Sequence, residues 1–518
     1  MAVELGAAGP YRAANYFWEE LTLEPDKKTG SSLSDERRAL LKAHLMGKAA
    51  QDRKPSSIAR RVASGPAPLS YGQQQILIHS KVAGETRIYN EPITIHKRGP
   101  LDIAALERSF IEIIRRHEAW RTTFEWRDDG PVQIVQPPPA RFEMPFNDLR
   151  ALPASKREAE ATRLATEDSY KSFDLERGPM YRPRLVRFSD DEHRLYITLC
   201  HIIFDGVSLY RVLLPELMAL YEAYSRNETL KLPDLPVQYS DFAVWHRELV
   251  QRAMPRELAY WKTVLKNLPE LNVKTDHPRP ATVDYKGEME TLLIPRAVTD
   301  KLKAISQEHG VTLFMTVVAA FVAMLHRDTG QEDIVVGSVT DLRTHTELQG
   351  LMGFFLNTLV VRSQVSGDIP FTELLARVKK STLGALSNST VPFELLVREF
   401  LKQRNASRAP LFQVMISVEP PLAPLKEGWA FTQMDVDPGY SKFDLTLELD
   451  ERPEGLIGRF IYSTALFEES TIHGLKSRWL KLLAQIADAP EKRVRDYDSS
   501  ERKPAERKSI FSLFSRKR

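Results

Sequence analysis

Arg194-Leu-Tyr-Ile-Thr-Leu-Cys-His-Ile-Ile-Phe-Asp-Gly206 carries two structural signals in succession. From Arg194 to His201 apolar and mixed positions alternate, the period-two pattern of a strand. Asp205-Gly206 is turn chemistry. From Val207 to Tyr224 apolar residues return at helical spacing through Leu209, Val212, Leu213, Leu217 and Leu220. His201 is therefore expected where a strand gives way to a loop that leads into a helix. Such a junction lets a rigid element aim a side chain into a cleft. An imidazole, with an unperturbed pKa of about 6.5, takes or shares a proton near neutral pH. Asp205 is placed to pair with an arginine and brace the loop.

The same alternation of strands and helices continues on both sides. Leu101 to His117 spaces Ile103, Leu106, Phe110, Ile113 and Ile114 as one helix face. Val311 to Leu325 is a run of 15 residues broken only by Thr312 and Thr316, short of the about 20 that span a bilayer, so it reads as a buried core helix. Asp333–Val339, Leu356–Val361 and Leu411–Val418 read as strands. At 518 residues, with 42% hydrophobic and 27% charged residues, the chain suits two or three domain-sized units of a globular protein. Its 72 basic and 69 acidic residues leave a formal charge of +3, which gives no general attraction to nucleic acid. The first residues lack a basic segment followed by an apolar run, so no signal peptide is read there, and a cytoplasmic, soluble protein without a transmembrane segment is expected.

Breaks at Gly65-Pro-Ala-Pro68 and Leu232-Pro-Asp-Leu-Pro236 divide the chain. The expected organisation is an appendage and linker over 1–65, with one short helix near Leu33–Leu45, followed by a first lobe over 66–236. A second lobe over 237–486 and a charged tail over 487–518 complete it.

Cys200 is the single cysteine, which excludes an internal disulfide and a multi-cysteine zinc site. Neighbouring strand residues point to opposite faces, so Cys200 and His201 do not form a nucleophile–base pair, and Cys200 reads as a small buried hydrophobe. His201 and Asp205 are not on one helix and have no third ligand nearby, so no metal is assigned. His117, Trp120, Trp245 and Trp261 read as packing residues, and Pro392-Phe-Glu394 as a helix entry.

Seven segments, in order, resemble the condensation domains of nonribosomal peptide synthetases. Leu69-Ser-Tyr-Gly-Gln-Gln-Gln-Ile-Leu77 is similar to the opening motif, and Arg116-His-Glu-Ala-Trp-Arg-Thr-Thr-Phe124 to the second. Cys200 to Gly206 matches the central His-His-x-x-x-Asp-Gly, with Cys200 in place of the first histidine. Tyr239-Ser-Asp-Phe-Ala-Val-Trp245 and Gly353-Phe-Phe-Leu-Asn-Thr358, followed by Arg362, resemble the fourth and fifth. Asn388 with Val391-Pro-Phe-Glu394 resembles the sixth, and Arg404-Asn-Ala-Ser-Arg-Ala-Pro-Leu411 the seventh, from which Ala406 and Ala409 depart.

The resemblance covers roughly residues 66–486 and implies an α/β fold of two chloramphenicol-acetyltransferase-like lobes in a V, with a tunnel between them. It implies His201 as the catalytic residue and Asp205 as structural, paired with Arg343 of Gly337-Ser-Val-Thr-Asp-Leu-Arg343. Gly206 would let backbone approach the reacting carbonyl, and Cys200 would be structural. Arg121, Asn357 and Ser208 are expected to support the tunnel or its motifs, with Asn357 on a second-lobe segment that crosses to the first.

The implied reaction joins an acyl or aminoacyl thioester, carried on the phosphopantetheine arm of a carrier protein, to an amine. No cofactor is expected to be bound intrinsically. A free-standing condensation enzyme, or one domain of a larger synthetase, is expected. An alcohol acceptor, a coenzyme A donor and an inactive docking scaffold are the alternatives. Two roles remain for His201: removing the amine's proton, or positioning the amine while proximity supplies the acceleration.

Overall fold

The computed structural model describes residues 58–497, except 63–64, 85–86 and 402–404. The short helix expected near Leu33–Leu45, Arg404 of the seventh motif and the basic end of the tail lie outside the described residues.

In chain order the first half forms β1 (Ala67–Pro68), α1 (Tyr71–Ala83), β2 (Asn90–Arg98), α2 (Ile103–Arg116), β3 (Thr122–Arg127), β4 (Gly130–Val135), β5 (Phe146–Asp148), α3 (Ala154–Ser169), β6 (Tyr181–Ser189), β7 (Glu192–Cys200) and α4 (Leu214–Ser225). The second half opens with α5 (Tyr239–Val264), β8 (Gly287–Pro295), α6 (Arg296–Glu308), α7 (Leu313–Thr329), β9 (Asp333–Asp341) and β10 (Leu356–Gln364). It continues with α8 (Phe371–Leu386), α9 (Phe393–Phe400), β11 (Val414–Val418), β12 (Trp429–Thr432), β13 (Leu445–Arg452), β14 (Gly455–Ser463) and α10 (Glu469–Asp488).

Local chemistry sets several boundaries. Ser70 accepts from the Gln73 N–H while the Gln73 side chain accepts from the Ser70 N–H, so both ends of a capping box start α1. Asp102 caps α2 through the Ala105 N–H, and Phe110, Ile113 and Ile114 then face the core. The apolar run at Val311–Leu325 is the core helix α7, capped by Thr312 and buried from Met315 to Leu325. The third predicted strand starts late, at Val414, because Leu411 takes a left-handed φ of 67°. The helix expected from Val207 begins as a wide π-type turn over Ser208–Leu213, and Pro215, which has no N–H, sits where the narrower α4 takes over.

The strands form two mixed sheets, β12-β2-β7-β6-β5 and β10-β9-β11-β13-β14-β8, and a small sheet β1-β4-β3. β7 is central in the first, antiparallel to both β2 and β6. One core packs α2 and α4 against β2 and β7, and the other surrounds α7. β12 corrects the expected division at 237: this strand of the second half pairs with β2, from Trp429 opposite Lys97 to Thr432 opposite Thr94, and completes the first lobe's sheet. The other expected limits shift as well. Ile58 is buried and the Arg61 N–H donates to Asp241 at 2.8 Å, so packing begins before 66. Val494 and Tyr497 belong to the second core, so packing continues past 486. Among the described residues no single helix is long and apolar enough to cross a membrane.

Gly337 on β9 lies under the Phe412 ring, where a Cβ would stand 2.1 Å from a ring carbon. Gly337→Ala is expected to destabilise the second lobe by about 1–3 kcal/mol through overpacking. An earlier denaturation midpoint in urea checks it.

Candidate active site

β7 ends at Cys200, in register with Asn90 of β2, and His201–Ile203 form a tight turn immediately after it. The pleat separates the neighbours as expected: Cys200 is fully buried while His201 keeps some exposed surface. Burial pushes the Cys200 thiol up to about 12, so it is a neutral packing group.

The His201 ring stacks on Phe204, with centroids 4.6 Å apart and planes 3° apart, and meets the edge of Phe354 at 6.0 Å. Its Nδ1 is buried without a well-formed hydrogen bond, whereas Nε2 is not sealed in and bonds to none of the described residues. Burial drives its pKa down to about 3, aided by the positive charges of Lys442 and Arg459 and opposed by a weaker contact with the Phe204 backbone. The imidazole is therefore neutral throughout the range in which it would work.

Asp205 turns away from His201 into a closed polar knot. Arg343 donates to both its oxygens, at 2.9 and 3.0 Å. The N–H and hydroxyl of Ser208 donate to Oδ1 at 2.8 and 2.9 Å, and the Phe355 N–H donates to Oδ2 at 2.8 Å. Arg343 also donates to Asp341 and to the Leu351 carbonyl, and its guanidinium lies 4.0 Å from the Phe355 ring centre. Ser208 binds the Gly353 backbone through its hydroxyl.

Gly353 (φ 158°) has the Tyr239 ring where a Cβ would be, and Gly72 leaves room for the Phe354 ring. The Tyr239 hydroxyl reaches Ser70 and donates to the Phe354 carbonyl. Residues from the first, third, fourth and fifth motifs thus meet around Gly353–Phe355.

The two remaining support residues lie elsewhere. The Arg121 side chain donates to the Gln136 carbonyl and faces Glu118 at 3.7 Å, holding the start of the β3–β4 hairpin. Asn357 follows the Gly353–Phe355 stretch that meets the first lobe at Asp205 and Ser208, while its own side chain faces the other way. Its side chain donates to the Ser389 and Val391 carbonyls and accepts from the Phe393 N–H, which fixes the entry to α9. His117 is buried with its Nε2 2.8 Å from Glu216, Trp120 and Trp261 are core residues, and Trp245 is partly buried.

Glu419 and Lys442, near the turn, gave no signal in the sequence, since each sits in a segment without periodicity, and Glu394 was read there only as part of a motif and a helix entry. Glu419 follows β11 and presses its carboxylate against Gly206, where a Cβ would stand 2.0 Å from Oε2. Burial first, then the charges of Glu448, Asp450 and Glu91, push it up to about 8. Lys442 lies with its ammonium 4.4 Å from the Tyr89 ring centre, and burial lowers it to about 8. Glu394, at the entry to α9, is pushed up to about 7 by burial. All three keep partial exposure, as His201 does. Beside them Arg459 joins Glu91 of the first sheet, at 2.6 Å, to Glu448 of the second, at 2.7 Å.

An α/β chain with a neutral histidine at a strand end, held by a buried Asp–Arg pair, has the fold of known condensation-type domains. The crystal structure of the X-domain from teicoplanin biosynthesis is similar with a TM-score of 0.73 and 24% identity, over 85% of this chain and 99% of that one. The first condensation domain of the CDA synthetase is similar with a TM-score of 0.74 and 21% identity, over 84% and 98%. The chain belongs to the Condensation domain family, whose model matches residues 63–508.

Chondramide synthase cmdD of Chondromyces crocatus is 37% identical over 432 residues, 83% of this chain and 11% of that protein. Phosphinothricin tripeptide synthetase PhsC of Streptomyces viridochromogenes is 34% identical over 475 residues, 89% of this chain and 43% of that protein. Three linear gramicidin synthase proteins of Brevibacillus parabrevis are 41%, 40% and 40% identical, and the chain spans only 8%, 6% and 8% of their lengths.

Asp205→Ala leaves buried Arg343 without its bidentate partner, and a loss of about 3–5 kcal/mol of stability is expected in chemical denaturation. The depressed His201 pKa also has a defined sign. The unfolded chain protonates this imidazole near 6.5, the folded protein only near 3, so acid uptake by the unfolded state removes stability as pH falls between them. A His201→Asn protein is expected to lose less stability than the parent between about pH 6.5 and pH 4, measured by denaturant titration at each pH.

Proposed function

We propose that this chain joins an acyl or aminoacyl thioester, held on a carrier protein's phosphopantetheine arm, to an amine, forming an amide and releasing the thiol. The observation that carries this reading is His201: a neutral, partly exposed imidazole on a turn that a buried ion pair holds rigid. Family membership and the relatives' names, which are those of peptide synthetases, support it. The donor and acceptor would meet between the lobes beside His201, which is deeply set yet keeps some exposed surface.

The low His201 pKa favours one of the two roles that histidine could take. A base this weak holds a proton poorly at neutral pH, so Nε2 acts by accepting a hydrogen bond from the amine and aligning its lone pair on the carbonyl carbon. Thioester aminolysis runs downhill, and orientation of two bound reactants supplies much of the acceleration.

A docking scaffold is the second reading. Cys200 stands where the family's motif has its first histidine, and the X-domain from teicoplanin biosynthesis, a structural neighbour, has been solved in a complex with OxyB.

Purified protein, carrier-loaded donors and a panel of amine acceptors, followed by intact-mass measurement of the carriers, separate the readings. Turnover is expected, and a folded His201→Ala protein is expected to be slower by about 10²–10⁴-fold. Equal product from both proteins would leave the scaffold.

A further inference from the structure

Glu419 reaches the His201 turn from the opposite sheet. It follows the last residue of β11, and its carboxyl fills the space beside Gly206 that any other residue's Cβ would occupy. The side chain has no hydrogen bond or ion pair among the described residues, and its oxygens are not closed off. The charged groups around it are Glu448 and Asp450 on β13, Glu91 on β2 and Arg459 on β14, with Tyr210 beside them.

The cation of that group is engaged elsewhere. Arg459 donates to Glu91 at 2.6 Å, to Glu448 at 2.7 Å and to the Gln433 carbonyl at 2.8 Å. Asp450 accepts from Tyr210 at 2.8 Å and pairs with Arg452. An unpaired carboxyl facing three other acids therefore sits across the catalytic turn from a histidine too weakly basic to keep a proton.

We propose that Glu419 is the proton acceptor that converts the incoming ammonium into the nucleophilic amine, while His201 orients it. This rests on the reading that the chain joins an amine to a thioester. The carboxylate takes one proton from the acceptor's ammonium, leaving a lone pair on nitrogen. That pair forms the C–N bond as the carbonyl π electrons move to oxygen. Collapse of the tetrahedral species breaks the C–S bond, the departing sulfur takes the second nitrogen proton, and the Glu419 proton passes to water.

The matching of the two groups supports this. An α-amino group titrates at about 7.7–8.0, and Glu419 is raised to about 8, so the transfer between them is nearly level. The substrate class follows: an acceptor that arrives as a cation gains from Glu419, and an alcohol gains nothing.

The test compares the parent protein with Glu419→Gln, which keeps the shape and removes the proton site. With an acceptor that arrives as an ammonium ion, Glu419→Gln is expected to lose about 10²-fold or more of the parent's kcat/KM. With an acceptor whose own nitrogen is already neutral from about pH 6 to 10, the two proteins are expected to stay within about twofold of each other. A variant within twofold of the parent with the ammonium acceptor, or one that loses as much with the neutral acceptor, overturns the role of Glu419 alone. A parent protein inert with every donor and acceptor overturns the amide-forming reading instead.

Infrared spectroscopy supplies a readout independent of turnover. The difference between the parent and Glu419→Gln spectra is expected to show a protonated-carboxyl C=O band at neutral pH that disappears through about pH 8, whereas Glu394 contributes equally to both proteins. No such band in the difference overturns the inference.

Discussion

The Asp205–Arg343 pair is the contact on which the geometry of the site depends. Both side chains are wholly buried, and two charges removed from water are tolerable only when nearly every lone pair and N–H finds a partner. Here the carboxylate receives five hydrogen bonds from Arg343, Ser208 and Phe355. An arrangement satisfied from so many directions has one geometry, so the turn from His201 to Ser208 cannot drift without leaving a buried charge exposed to low dielectric. The aspartate acts on the histidine by holding the turn, since it makes no contact with the ring.

The pair also joins distant parts of the chain. Asp205 belongs to the first lobe and Arg343 to the second, and the partner backbone of Phe355 belongs to a third segment. Around it, glycines allow approaches no side chain would permit: Gly353 against Tyr239 and Gly72 against Phe354. A second clasp, Glu91 to Arg459 and Glu448, joins the two large sheets beside the same site. β12, which extends the first sheet with a strand from the second half, is a third. The histidine is therefore presented at a junction fastened on several sides.

Between these fastenings the ionisable groups share one environment and respond with opposite shifts. Burial disfavours whichever form is charged, so His201 and Lys442 move down while Glu394 and Glu419 move up.

Much of this molecule was legible before folding. Period-two and helical spacing located β7, α2 and α7, because the pleat and the 3.6-residue turn each impose a local repeat. The order of motifs named the family, and the strand–turn–helix signature placed His201 at a strand end and separated it from Cys200. The π-type opening before α4 and the late start of β11 were not legible, since a missing N–H at Pro215 and a left-handed Leu411 override the local pattern.

Tertiary structure alone decided what surrounds His201. Nothing in the residues following β11 marks Glu419 as an interior acid, because its depth comes from Gly206, far earlier in the chain, having no side chain. β12 was added to the first sheet, and the Asn357 side chain was turned to the entry of α9, by contacts that no local repeat encodes. Periodicity reports which face of an element is buried; which charges then face one another depends on how the sheets are brought together, and that sets the chemistry.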